Sequence, residues 1–369
     1  MIVDVITRHA PSNYGSLLQS IATVKVLQHL GHRASIVDYI RPDDLGLNKV
    51  KQEAFLKGGS AIKRLIYILI RFPIEKIAEV RFAKMRKKHL STTPRCSSIE
   101  ELGNLQADCF MTGSDQVWGP MVNGEYDPAY FLDFVKDGKK VAYAASFGKT
   151  NFDEKTISDY KRHLSTYDKI AVREDSAVDL IKGWGATNCV GQVIDPTLLL
   201  SGDEWKNLLY VKDSKTGPYI LIYQIHNDPK LSQYAKDLAA LKKLKLIRVN
   251  PFLHQCFRGG SFRLCPDVKD FLELINNAAY IVTDSFHGTC FAINFNKQFV
   301  EILPNNATGT RNQSILTLTG LSSRIVTNFE DFTVVDNEID YGPVNKILEE
   351  ERERCKDVLK KMLQCERSD

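Results

Sequence analysis

Residues 280–289 read Tyr280-Ile281-Val282-Thr283-Asp284-Ser285-Phe286-His287-Gly288-Thr289. A short β-branched apolar run, 280–283, stops at a cluster of small polar groups around one histidine. The run predicts a buried strand, and residues 288–295 predict the helix after it. Ser285 and His287 then sit at the carboxyl end of a strand. Parallel α/β sheets hold ligands at that edge, where the next helix offers unpaired N–H groups and partial positive charge to a phosphate or carboxylate. Histidine adds a proton that can be moved near neutral pH.

The same strand-then-helix rhythm runs through most of the chain. Residues 219–223, 245–249 and 299–302 read as further strands, with helices at 230–241 and 267–276. At the start, 2–6 is a strand and 15–30 a helix, with Leu17, Leu18, Ile21, Val24 and Leu27 near helical spacing and Gly31 closing it. The next strand is 34–39. Strands at 109–112, 141–145, 169–172 and 189–194 follow, alternating with helices at 153–165 and 175–182. This alternation predicts an α/β protein of doubly wound parallel sheets. We expect one domain over 1–200, carrying a basic helical insertion near 49–95, and a second over 201–335, with Asp195-Pro196-Thr197 at the crossing. The charged helix of 336–369 is suited to return to the first domain. No G-x-G-x-x-G occurs in the first βα turn, so a dinucleotide fingerprint is absent.

At 369 residues the chain exceeds one hydrophobic core, and 43% apolar with 25% charged residues is ordinary for a soluble globular protein. No run of 18 apolar residues occurs, and Met1-Ile2-Val3-Asp4-Val5 lacks the basic start and apolar stretch of an export signal, so a cytoplasmic location is expected. Eight cysteines without a C-x-x-C pair or a matching histidine pair argue against structural zinc and against a disulfide framework. Cys109 and Cys290 read as core, with a nucleophile as the alternative for Cys290, three residues after His287. No H-E-x-x-H or D-x-D cluster suggests another metal. The net charge of +4 conceals an asymmetry: residues 49–95 carry thirteen Lys or Arg against Glu53, Glu75 and Glu79, making that segment +10 and the remainder −6. Within it, residues 61–77 alternate apolar and basic groups. That composition suits a helix lying on an anionic bilayer, one covering a core, or a solvated face. Neither a nucleic-acid module nor an aromatic ladder accompanies it, so no nucleic-acid partner is expected.

Further polar clusters close predicted strands: Ser12-Asn13-Tyr14-Gly15, Gly113-Ser114-Asp115-Gln116-Val117-Trp118, Ala144-Ala145-Ser146-Phe147-Gly148 and Val172-Arg173-Glu174-Asp175. Arg173 can clamp a carboxylate or phosphate with two charge-assisted bonds, or pair with Glu174, Asp175 or Asp179. Asp115 is a base toward a sugar hydroxyl, or a capping residue. Asn13 and Ser146 are ligand donors or turn residues. His287 is a satisfied core histidine, or a proton donor that Asp284 orients and beside which Gly288 admits a ligand. His9 and His226 are lesser candidates. A Ser-His-Asp hydrolase is disfavoured, since no Gly-x-Ser-x-Gly elbow occurs.

Taken in order, these clusters, with Tyr143-Ala144-Ala145-Ser146-Phe147-Gly148, Asp195-Pro196-Thr197 and Ser285-Phe286-His287-Gly288, resemble the polysaccharide pyruvyl transferases over residues 1 to about 325. Gly119 departs from the Asn that many members carry after the Trp. The resemblance implies a GT-B-like fold, two Rossmann-like domains facing a cleft that holds the site. It also implies transfer of pyruvate from phosphoenolpyruvate to two hydroxyls of a sugar, as a cyclic ketal, in bacterial surface polysaccharide biosynthesis. His287 would be the acid and Asp115 the base. Arg173, Asn13, Ser114, Ser146, Ser285 and Gly288 would bind substrate. Phosphoenolpyruvate is a co-substrate in this scheme, and no metal or redox cofactor is demanded. The acceptor would be a hexose in a bacterial surface polysaccharide or in its polyprenyl-linked precursor, and the basic helices would hold the enzyme at the inner membrane face. Two other readings are a nucleotide-sugar glycosyltransferase of the same architecture and a non-catalytic carbohydrate-binding protein.

Overall fold

The computed structural model describes residues 1–213, 217–304 and 309–364; Cys365 and the end of the 336–369 segment lie outside them. Two parallel sheets form. The first contains β1 (Ile2–Ile6), β2 (Arg33–Ile36), β3 (Cys109–Thr112), β4 (Lys139–Ala145), β5 (Lys169–Val172) and β6 (Cys189–Gln192), in the order β2-β1-β3-β4-β5-β6. The second contains β7 (Tyr219–Tyr223), β8 (Lys245–Asn250), β9 (Ser261–Leu264), β10 (Tyr280–Thr283) and β11 (Gln298–Glu301), in the order β11-β10-β7-β8-β9. Central strands β3 and β7 are buried at every residue, as expected for sheets covered on both faces.

The first half carries helices α1 (Tyr14–His29), α2 (Gly46–Leu56), α3 (Ala61–His89), α4 (Ile99–Leu102), α5 (Glu154–Leu164), α6 (Asp175–Gly183) and α7 (Pro196–Leu199). Helices α8 (Gly202–Leu209), α9 (Pro229–Lys242), α10 (Val268–Asn276), α11 (Phe286–Asn294), α12 (Gly309–Leu318), α13 (Thr333–Asp336) and α14 (Tyr341–Leu363) follow. One continuous apolar core runs from β1 and α1 through α7 and α11 to α14. Helix α1 is buried along most of its length because it lies between the two halves; Tyr14 stacks on Phe271 of α10 at 4.0 Å. Helix α14 closes back on the first sheet. There Arg354 Nη2 donates to the Gln192 carbonyl at 3.0 Å, and Cys355 Sγ accepts from the Ile194 N–H at 3.4 Å.

Strand order reverses between β1 and β3 in the first sheet and between β7 and β10 in the second. At such a switch point neighbouring connections leave on opposite faces, opening a crevice at the carboxyl ends. The residues after β1, β3, β7 and β10 all line one cleft.

Several elements differ from the sequence expectation: β2 spans Arg33–Ile36 rather than 34–39, α8, α12 and α13 were not foreseen, and three further differences bear on the site or the sheets. Helix α11 starts at Phe286, not at 288, because the Ser285 hydroxyl caps it by accepting from the Gly288 N–H at 3.2 Å. His287 is therefore in the first helical turn. Strand β6 stops at Gln192, since Asp195 caps α7 at once. The edge strand β9 was not anticipated, as a four-residue polar-apolar stretch gives little signal. No helix of the described residues is long and apolar enough to cross a membrane.

Candidate active site

The cleft floor is built where β3 and β4 end. Asp115 adopts φ 80° and Ala144 φ 55°, left-handed values that non-glycine residues seldom take, and the β4–β5 register shifts between Tyr143 and Ala145. Asp115 stays bridged to Ala145, its carbonyl accepting from the Ser146 N–H at 3.1 Å, while its side chain lines the cleft. Its carboxylate accepts from Ser16 Oγ at 2.9 Å and lies 3.8 Å from Arg173 Nη2 and 3.9 Å from Arg311 Nη1.

Behind the floor lies a buried network around Asp195, the N-cap of α7. Its Oδ1 accepts from the Thr197 N–H at 2.9 Å, and its Oδ2 accepts from Ser114 Oγ at 2.7 Å and Arg173 Nη1 at 3.0 Å. His287 Nε2 is 3.8 Å from the same oxygen, beyond hydrogen-bond range, and has no partner. The Arg173 guanidinium stacks on the Phe286 ring at 4.5 Å. From the other side, the His287 ring rests against Gly15: a Cβ there would stand 2.0 Å from Nδ1. Helices α1 and α11 thus meet at a contact only glycine allows.

The cleft encloses about 180 Å³. Of the residues expected in a site, Asn13, Asp115, Ser285 and His287 line it. Asn13 and Ser285 do so as helix N-caps, their oxygens already accepting from Gly15 and Gly288. Arg173, Ser114 and Ser146 are almost wholly buried behind it. Ser146 Oγ donates to Glu174 Oε1 at 2.6 Å and so steadies the carboxylate beside Arg173. Gly288 is not among the residues that line the cleft; a Cβ there would meet Thr283 Oγ1 at 2.4 Å, so its smallness serves packing on β10. Asp284 does not orient His287. It accepts from the Ile225 and His226 N–H groups at 2.7 and 2.9 Å, fixing the loop after β7.

Sequence reasoning missed Arg8, Ser16 and Arg311, and had not given Asp195 a role. Arg8 and Arg311 line the cleft, and the Nε of each lacks a hydrogen-bond partner. Arg8 stands two residues past β1, much as Arg173 stands just past β5, which is a signal that was readable. Arg311 lies in α12 with no motif around it; only folding brings it to Asp115.

Burial pushes the His287 imidazole below its ordinary value, against the pull of Asp195 and Asp115, while Arg173 and Arg311 push it further down. Burial also opposes ionisation of Asp115, but Arg173, His287, Arg311 and Arg8 outweigh it and hold the carboxyl well below the usual range. Asp195 is likewise held low, its burial outweighed by His287 and Arg173. Burial, then repulsion from Arg173, brings Arg311 down to about 10. The cleft therefore presents clustered cations over ionised carboxylates, with a neutral histidine that an incoming anion would help to protonate. Among the described residues no group of three or more His, Cys, Asp or Glu is placed to hold a metal ion.

Two parallel α/β units sharing a cleft at their strand ends define the GT-B class of fold, and solved structures of that class superpose on the whole chain. A Listeria monocytogenes protein described as a UDP-N-acetylglucosamine 2-epimerase gives a TM-score of 0.55 at 11% identity, covering 100% of this chain and 97% of that one. The UDP-GlcNAc 2-epimerase of Neisseria meningitidis, bound to UDP-GlcNAc, gives 0.52 at 12% identity over 98% and 100%. That of Methanocaldococcus jannaschii gives 0.51 at 11% over 98% and 100%. At such identities the likeness is one of fold. Comparison with curated proteins gives no match. The family model for polysaccharide pyruvyl transferases matches residues 13–306, and the chain belongs to that family. Its role is accordingly pyruvyl transfer in polysaccharide biosynthesis.

Proposed function

We propose that the cleft takes phosphoenolpyruvate as donor and forms a cyclic pyruvate ketal on two hydroxyls of one sugar. The observation that carries this is the convergence of Arg8, Arg311 and His287 on a space of about 180 Å³. A three-carbon phosphate ester fits such a volume, whereas ligand pockets for larger molecules run to roughly 300–1,000 Å³. Its phosphate and carboxylate would be met by the guanidinium groups of Arg311 and of Arg8, the latter held by an ion pair with Asp44. Arg173, locked to Asp195 and Phe286, supplies fixed positive charge behind them.

In this reading the bound anion raises the His287 pKa, and the imidazolium protonates the methylene carbon, giving an oxocarbenium-like C2. A sugar hydroxyl attacks C2 and gives its proton to Asp115. The second hydroxyl attacks C2, phosphate leaves with that proton, and the ketal closes. The depressed pKa of Asp115 guarantees the ionised acceptor but limits its basicity; donor binding relieves this by drawing Arg311 toward the phosphate.

The test is phosphate release from phosphoenolpyruvate with soluble and lipid-linked galactosides, for the native protein, His287→Ala and Arg311→Ala. Acceptor-dependent release that falls by roughly 100-fold or more in both variants supports the reading. If phosphoenolpyruvate neither reacts nor raises the melting temperature while a nucleotide sugar does, the glycosyltransferase reading replaces it.

A further inference from the structure

Helix α3 turns an apolar stripe outward. Ile62, Leu65, Ile66, Leu69 and Ile70 recur at helical spacing on one face, and Ile77 and Val80 continue it. They are exposed rather than packed: Ile62 by 71% and Leu69 by 64%, with Phe55 and Leu56 at the tip of α2 exposed by 68% and 67%. From 62 to 80 the stripe is about 27 Å long at the rise of an α-helix. Single exposed apolar residues are ordinary, but a continuous ridge of this length on a soluble surface marks a contact site.

Charge is sorted around this ridge. The three acids of the segment turn inward: Glu75 pairs with Lys49 at 2.6 Å, Glu79 with Lys76 at 3.1 Å and the Gly46 N–H, and Glu53 accepts from Tyr67 at 2.9 Å. Exposed Lys84 and Lys87 fall on the same face as the ridge and extend it toward the end of α3, whereas Lys76, within the ridge, is paired with Glu79. The outer face is thus apolar at one end and basic at the other, with no carboxylate on it. A second copy of the segment, also +10, would be repelled; an anionic surface with an apolar interior is complementary to both parts.

We infer that α3 is a docking surface for an anionic lipid bilayer, the apolar ridge entering the headgroup boundary and the lysines meeting lipid phosphates. The helix also holds the loop that borders the cleft at Pro11. Arg86 Nη1 donates to the Ala10 carbonyl at 2.8 Å, in the loop after β1, and Arg81 Nη1 to the Leu264 carbonyl at 2.6 Å in the second half. A docked α3 would hold the cleft beside the membrane. If the proposed reaction is correct, the consequence is an acceptor sugar carried on a membrane lipid.

Flotation of the full chain with vesicles tests the docking without requiring turnover. The expected result is recovery with phosphatidylcholine–phosphatidylglycerol vesicles, weaker in high salt, and little with phosphatidylcholine alone. Lys84→Gln with Lys87→Gln lowers the partition coefficient by about 30-fold, taking about 5-fold per basic residue. Leu65→Ser with Leu69→Ser abolishes recovery while leaving the melting temperature and phosphate release on a soluble acceptor unchanged. Equal recovery with the two vesicle types, or undiminished recovery of both double variants, overturns the inference. So does absence of vesicle binding together with a dimer in sedimentation velocity that the leucine variant dissolves. Vesicle binding without phosphoenolpyruvate turnover would overturn the proposed reaction and leave the docking surface standing.

Discussion

Asp195 makes the largest number of decisive contacts in the site, yet it never faces the cleft. It fixes Ser114, Arg173 and the start of α7, and it is the carboxylate nearest His287 Nε2. Asp195→Asn removes the nearest of three carboxylates around the buried Arg173 charge, leaving Glu174 and Asp115 at 3.8 Å, and should cost about 1.5–3 kcal/mol of stability. Urea unfolding measures this, and a loss below about 1 kcal/mol would contradict the network. The depressed pKa of His287 carries a pH signature. Below about 6.5 the unfolded chain binds a proton there that the folded protein resists, so stability rises with pH through that window and the penalty vanishes above it. His287→Gln should flatten the acid-side fall in stability; equal slopes for the two proteins would show that His287 does not cause it. The converse holds in the complex. If phosphoenolpyruvate protonates His287, binding takes up a proton, and titration calorimetry in buffers of different ionisation enthalpy should reveal that uptake. At this scale the sequence marked Asp115, Arg173 and His287, because each stands at a strand end in a polar cluster. It left open whether each was structural, since partners such as Asp195 and Arg311 are distant in the chain.

At the level of elements, the site depends on how closely α1 approaches α11. Gly15 in the first turn of α1 touches the imidazole of His287, so a methyl group there must push the ring or the helix aside. Gly15→Ala should lower turnover by about 100-fold, because displacements near 1 Å at a reacting group have that order of effect. Native turnover in that variant would mean that the ring position is not critical. Caps set the remaining geometry: Asn13 and Ser285 spend their side chains on the amino ends of α1 and α11, aligning two N-termini on one cleft. Element identity was readable from the sequence because helix and strand periods are local properties. Boundaries were less so. The start of α11 at Phe286 rather than 288 follows from a side-chain cap that periodicity does not register, and β9 exists because β8 offers it a partner.

Over the whole molecule, the cleft takes Arg8, Asn13 and Asp115 from the first half and Ser285, His287 and Arg311 from the second. A donor bridging them binds only the folded arrangement. Phosphoenolpyruvate at a hundredfold excess over its dissociation constant should therefore add about 2.7 kcal/mol to stability, seen as a rise in melting temperature that Arg311→Ala reduces. A rise unaffected by that change would place the anion elsewhere. The common core through α1, α7, α11 and α14 ties the halves together. Two parallel βα series, the strand ends that carry polar clusters, the basic segment and the family resemblance are all written in short-range pattern and order along the chain. Tertiary structure alone decided that Arg173 is buried against Asp195 while Arg8 and Arg311 face the cleft, that Gly288 serves packing and Gly15 the histidine, and that the acids of the basic segment turn inward. Those outcomes depend on which distant side chains are brought within a few ångströms, and on the desolvation that follows, which no local pattern of residues encodes.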